Sequence, residues 1–322
     1  AMPRTSSRAR RALLQLTPVI VVATLVGIVA TDSGGRDDGH SRKRDALSGT
    51  VTIDGAVALR GVMDRAAQRF ENRHPDVRVT AGASGDQSAI TFFCAGEVDI
   101  AAVARRLDRS ERRACRTSGT TYLPVEVARE GIALVVSKRN AFATCLSLDQ
   151  VRAIWRRADP VNTWAQADPR FPAVELQPVG WKPDTAPYTL LAEGLYGPVD
   201  PLTRNDYQEA TDTAELAESV AASPSAIGYL PVGELKRGAG VRPVAVNGGR
   251  GCVTPTVSSV RDGSYPSLSR PLYLDVSAEA LRRPESRRFI REYLDRPPAP
   301  GPQDGVITMP NSHRIYRKFT RP

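Results

Sequence analysis

Cysteine is scarce in this chain, with four residues in 322 and none before Cys94. No cysteine therefore follows the N-terminal apolar run closely enough to carry a lipid. No pair is spaced Cys-x-x-Cys, and the three histidines, His40, His74 and His313, lie far from the cysteines in sequence. A zinc site therefore lacks its usual ligand spacing, and no metal is expected. Nucleophile-elbow and paired-carboxylate motifs are also missing, so Asp86, Asp184, His74 and Ser84 carry no enzymatic pattern. No catalytic residue is assigned and no enzyme or cofactor is expected. Internal repeats are absent. Basic residues are not interleaved with aromatics, which speaks against a nucleic-acid partner.

What the chain does have is a modest excess of positive charge, 44 Lys+Arg against 35 Asp+Glu. Spread over a large domain, that excess suits attraction of small anions. The 25 prolines and 25 glycines predict many turns. Arg4, Arg8, Arg10 and Arg11 precede an apolar run from Ala12 to Ala30. A basic flank before about twenty membrane-compatible residues reads as an uncleaved signal anchor, with a cleaved signal peptide (residues 1–30) as the alternative. Either places the bulk of the chain outside the cytoplasm. Residues 31–48 are almost free of apolar side chains and read as a flexible linker. In an exported chain the four cysteines suggest two disulfides, with three pairings open.

From Gly49 the pattern alternates strand and helix. Gly49 to Ile53 is a strand, and a helix from about Ala56 to Asn72 carries Val57, Val62, Ala66 and Phe70 at helical spacing. Val77 to Thr80 is the next strand, Ala83-Ser84-Gly85-Asp86 opens a helix ending near Cys94, and Val98 to Val103 is a short buried strand. This βαβ series predicts a mainly parallel sheet with right-handed crossovers. Arg105 and Arg106 follow at the carboxyl end of that strand, where such sheets present ligands. Asp108 caps a charged helix, and Tyr122 to Val127 is a strand. Gly131 to Ser137 reads as a separate buried strand crossing into a second lobe. Leu148 to Trp155, Thr185 to Tyr196, Ala214 to Ala222 and Pro284 to Leu294 read as helices; Val174 to Val179, Ala226 to Leu230, Val241 to Val246 and Pro271 to Val276 read as strands. A proline-rich tail ends in Arg314, Arg317, Lys318 and Arg321.

Six collinear pieces carry a family likeness: GTVTIDG (49–55), HPDVRVT (74–80), FCAGEVDIA (93–101), CLSLDQVRAIW (145–155), GCVTPT (251–256) and DGSYPSLSRPLY (262–273). They resemble the substrate-binding protein family of the phosphate ABC transporter, over about residues 49–300. The resemblance implies a two-lobed type II periplasmic-binding-protein fold. Each lobe would be a mainly parallel sheet flanked by helices, and two crossing strands would join them. It implies lobe 1 from residues 49–130, lobe 2 from 131–252, and a return to lobe 1 from 253 onward, and it pairs Cys94 with Cys115 and Cys145 with Cys252. An ABC permease or other membrane partner and a monomeric state go with it.

The family grips phosphate with four loops, and this chain departs from most of them. Where the family reads Asp-Gly-Ser-Ser-Thr, the chain has Asp54-Gly55-Ala56-Val57-Ala58, leaving only backbone N–H groups. Ser-Gly-Thr-Gly-Gly-Gly becomes Ser84-Gly85-Asp86-Gln87-Ser88-Ala89, which sets a negative charge beside the anion. The acidic acceptor and Ala-Ser-Arg become Ala102-Val103-Ala104-Arg105, keeping only the arginine. Gly-Thr-Asp-Ser-Gly-Thr becomes Gly180-Trp181-Lys182-Pro183-Asp184-Thr185. The resemblance thus implies an anion site at Gly55, Ala56, Val57, Ser84, Gly85, Arg105, Lys182 and Thr185, with Arg60 as a further cation. Each hydrogen bond lost to a charged ligand removes roughly 1.5–3 kcal/mol. Weak binding of phosphate or a related oxyanion, altered specificity, or a tethered sensor or interaction module is expected.

Overall fold

A computed structural model describes residues 47–197, 203–265, 268–301 and 305–309. The expected anchor, nearly all of the linker and the basic end of the tail lie outside the described residues. Among those described, no helix is long and apolar enough to cross a membrane.

The first lobe starts with β1 (Gly49–Gly55), α1 (Val57–Glu71), β2 (Val77–Ala81), α2 (Asp86–Ala95), β3 (Ile100–Val103) and α3 (Arg109–Thr117). Strands β1, β2 and β3 pair in parallel, as the alternating pattern predicts, and lie in the order β2-β1-β3. Helix α1 buries Leu59, Val62, Met63, Ala66 and Phe70 against the sheet. Val57 shares their spacing but is 52% exposed, because it is the first helical residue and sits at the sheet's carboxyl edge. Helix α3 starts with a capping box, Asp108 accepting from the Glu111 N–H while Glu111 accepts from the Asp108 N–H.

The next strand corrects the sequence reading. Tyr122 to Val127 and Gly131 to Ser137 are one strand, β4 (Tyr122–Ser137), running through both lobes. Gly131 marks the crossing; a Cβ there would meet Val260 at 2.8 Å, so the chains approach too closely for any side chain. The second lobe follows: β5 (Cys145–Ser147), α4 (Leu148–Trp155), α5 (Trp164–Ala167), β6 (Gln177–Trp181), α6 (Ala186–Tyr196), β7 (Gln208–Ala210), α7 (Thr213–Ala222) and β8 (Ala226–Pro231). After a 3-10 turn come β9 (Val241–Pro243), β10 (Ala245–Asn247), β11 (Cys252–Val253) and α8 (Val257–Asp262). The chain returns through β12 (Ser269–Ser277), α9 (Ala278–Arg282), α10 (Pro284–Asp295) and β13 (Val306–Thr308).

The main sheet runs β2-β1-β3-β12-β4-β8-β6-β7, with β9 and β13 also on β4. Its outer strands are parallel, and every antiparallel pair in it involves β4 or β12. These two strands join the lobes, β12 running back along β4. Two large cores flank the junction, and a smaller third cluster gathers Ile90, Phe93 and Cys115. Leu134, Trp155, Trp164, Leu191 and Tyr229 belong to one; Leu59, Phe70, Ile100, Leu274 and Phe289 belong to the other. The return comes later than residue 253, since Val260, Tyr265 and Leu268 still pack in the second-lobe core and Leu272 packs in the first. Disulfides join Cys94 to Cys115 and Cys145 to Cys252, the pairing that the resemblance implies.

Candidate functional site

A cleft of about 1070 Å³ opens at the carboxyl ends of β1 and β3. One wall is the first turn of α1, the start of α2 and residues 104–106; α6 forms the other, and Ser269, Arg270, Pro271 and Tyr273 of β12 line it too. That is the edge where open α/β sheets hold ligands. Three of the four expected loops meet here.

In the first loop, Asp54 is buried and organises its neighbours. Its carboxylate accepts from the Gly55 N–H at 2.9 Å, the Ser84 N–H at 3.0 Å and the Ser84 hydroxyl at 2.5 Å. The Ala56 N–H donates to the Ala102 carbonyl at 2.7 Å and the Gly85 N–H to the Gly55 carbonyl at 3.0 Å. Gly55 has no room for a Cβ, which would lie 1.8 Å from the Ala102 oxygen. Ser84, Gly85, Gly55 and Ala56 are therefore all near the cleft, but their donors are engaged within the fold. Val57 opens α1, whose first turn has no side-chain cap and no acidic residue. Such a turn leaves backbone N–H groups without intrahelical partners.

Asp86 reaches from the start of α2 to the third loop. Its two carboxylate oxygens lie 3.1 and 3.3 Å from the Ala104 nitrogen and accept its N–H. Burial raises its pKa, opposed by that hydrogen bond and by the charges of Arg270 and Arg105. An internal carboxylate thus holds a backbone donor of the third loop.

Arg105 lines the cleft but is not the bare cation that the sequence suggests. Its guanidinium forms a bidentate pair with Glu111, at 2.7 and 2.8 Å. Glu111 is buried and holds Arg105's pKa above its usual value, while Arg105 lowers that of Glu111. The capping box of α3 presents this carboxylate, which explains why residue spacing alone did not reveal the pair.

The fourth loop does not reach the cleft. Lys182 is exposed, and neither it nor Thr185 is among the lining residues. The Thr185 hydroxyl donates to the Lys182 carbonyl at 2.8 Å and accepts from the Tyr188 N–H, capping α6. Trp181 is buried, its indole N–H on the Tyr229 carbonyl at 2.9 Å. Arg60 also lies apart, paired with Asp64 along the exposed face of α1 at 2.7 Å.

Residues not foreseen from the sequence fill the junction. Arg270 donates to Glu130 of β4 at 2.6 Å and to Glu193 of α6, fastening the second lobe's helix to the crossing strands. Its partners are 140 and 77 residues away in sequence, so no local signal could have found them. Burial raises the pKa of Glu130, and Arg270 opposes the shift. Arg106 lies with its guanidinium 4.6 Å over the Tyr273 ring. Among the described residues, no cluster of three or more His, Cys, Asp or Glu side chains could hold a metal.

Comparison with known proteins matches these features. A family model described as PBP superfamily domain covers residues 40–295. Protein SphX of Synechococcus elongatus is 27% identical over 272 residues, spanning 84% of this chain and 80% of that protein. The phosphate-binding protein PstS of Staphylococcus epidermidis is 23% identical over 268 residues, 83% of this chain and 79% of that protein. Among solved structures, a possible phosphate binding protein from Planctomyces limnophilus superposes with a TM-score of 0.76 at 26% identity, covering 84% of this chain and 97% of the other. An ABC-type phosphate transport receptor from Vibrio cholerae, at 19% identity and a TM-score of 0.57 over 76% of this chain and 98% of its own, shares the fold. The architecture is the two-lobed type II periplasmic-binding-protein fold.

Proposed function

The chain belongs to the PBP superfamily, and from that premise we propose that it is an extracytoplasmic solute-binding protein of the phosphate ABC transporter type. Its relatives include named phosphate-binding proteins, and its cleft lies at the ligand-presenting edge of the sheet. Phosphate itself binds weakly, or the specificity has changed. The carrying observation is Asp86 on the Ala104 N–H, which sets a like charge against any oxyanion approaching that loop. Residues 1–30 anchor the protein to the outer face of the cell membrane, or direct its export if cleaved. The solute passes to a permease.

A second role, a membrane-tethered sensor or interaction module without phosphate binding, is favoured by the pairing of Arg105 with Glu111. Isothermal titration of the full chain with phosphate and sulfate tests the specificity. Little heat is expected at micromolar phosphate, and micromolar affinity would overturn altered specificity. Crosslinking in membranes separates the two roles, since a permease partner is required by transport alone.

A further inference from the structure

Three charged groups line the cleft without a direct ion pair among the described residues: Asp108, which caps α3, and Asp86 and Arg106, on which other charges act only at longer range. Asp86 makes no ion pair among the described residues, and the Ala104 N–H is its hydrogen-bond donor there. Arg106 likewise makes no ion pair among them; it stacks on Tyr273. The other cleft ions are taken, Arg105 by Glu111 and Arg270 by Glu130 and Glu193. Inorganic phosphate would meet Asp86's repulsion, and a simple cation would meet Arg106's. A molecule carrying both signs offsets both.

Apolar surface shares the cleft with these charges. Val57, Ala58, Leu190 and Pro271 line the same cleft, and Val57, at the start of α1, is half exposed. At about 1070 Å³ the space exceeds what a four-oxygen anion fills. The uncapped first turn of α1 adds N–H groups on the same wall.

Building on the solute-binding role above, we propose that the cleft takes a small organic zwitterion, its ammonium group on Asp86 and its carboxylate on Arg106. The ammonium gives Asp86 a direct ion pair, where Arg270 and Arg105 act only at longer range, in a half-buried setting where the pairing is weakly screened. The guanidinium takes the carboxylate in a forked hydrogen bond while keeping its ring contact.

The test is calorimetric titration of the full chain with glycine, β-alanine and γ-aminobutyrate, which step the distance between the charges. Inorganic phosphate, acetate and methylammonium run in parallel. At least one aminocarboxylate is expected to bind at least tenfold more tightly than acetate or methylammonium. Asp86→Asn and Arg106→Gln should each weaken it tenfold or more, and Lys182→Ala, outside the cleft, should not. Arg106 is exposed, so Arg106→Gln remains informative if Asp86→Asn does not fold. Aminocarboxylate binding insensitive to Arg106→Gln would overturn the assignment. Phosphate binding without aminocarboxylate binding would overturn it and leave the solute-binding role standing. Silence from every probe would count against both.

Discussion

Asp86 and Ala104 are joined across the cleft wall, the carboxylate of one taking the backbone N–H of the other. A negative charge thereby lines the cleft beside that backbone donor. At a few ångströms a like charge costs an oxyanion roughly 1–4 kcal/mol, depending on how far solvent screens it. Asp86→Thr should therefore raise phosphate affinity at least tenfold in a titration at pH 7. Unchanged affinity would mean that Asp86 does not control anion entry.

Arg105 should contribute to stability through Glu111. Removing it strands Glu111, which is 8% exposed, with backbone donors but no cation. Breaking a fully buried pair costs about 3–5 kcal/mol, and the 35% exposure of Arg105 reduces that to about 1–2 kcal/mol through solvent screening. Arg105→Ala should lower the denaturant midpoint accordingly. An unchanged midpoint together with lost ligand binding would return Arg105 to the role first expected of it.

Asp275 gives the fold a pH dependence. Burial pushes its carboxyl up to about 7, against the pull of Arg106. The native side chain therefore keeps its proton up to about pH 7, whereas the unfolded one loses it near pH 4. Between those values the native state binds more protons, so this group's contribution falls as pH rises, by on the order of 4 kcal/mol across the window. Relative to Asp275→Asn, the wild type should gain stability as pH is lowered from 7 to 4. Parallel stability curves for the two proteins would refute this.

The two disulfides should differ in weight. Cys145–Cys252 spans 107 residues and Cys94–Cys115 spans 21. In the chain-entropy model they contribute roughly 4–5 and 3 kcal/mol. Paired serine substitution of Cys145 and Cys252 is expected to lower the melting temperature more than the same change at Cys94 and Cys115, as scanning calorimetry would show. The reverse order would point to native packing, not loop closure, as the dominant effect.

Amino-acid sequence alone determined the alternation of strands and helices, and with it the parallel pairing of β1, β2 and β3. Hydrophobic period and turn residues act within a few positions, so Val62, Ala66 and Phe70 reveal a helix face without any distant partner, although Val57, read with them, is exposed. The residues alone left three disulfide pairings open, and the family resemblance implied the one found. Tertiary structure decided which charges are free. Arg105, Arg106 and Arg270 look alike as letters, yet Glu111 holds the first, an aromatic ring the second, and two carboxylates from distant segments the third. The single strand β4 was likewise invisible, since Gly131 reads as a break until Val260 is seen packed against it. Partners brought together by folding set the charge balance of the cleft, and local residue patterns carry no record of them.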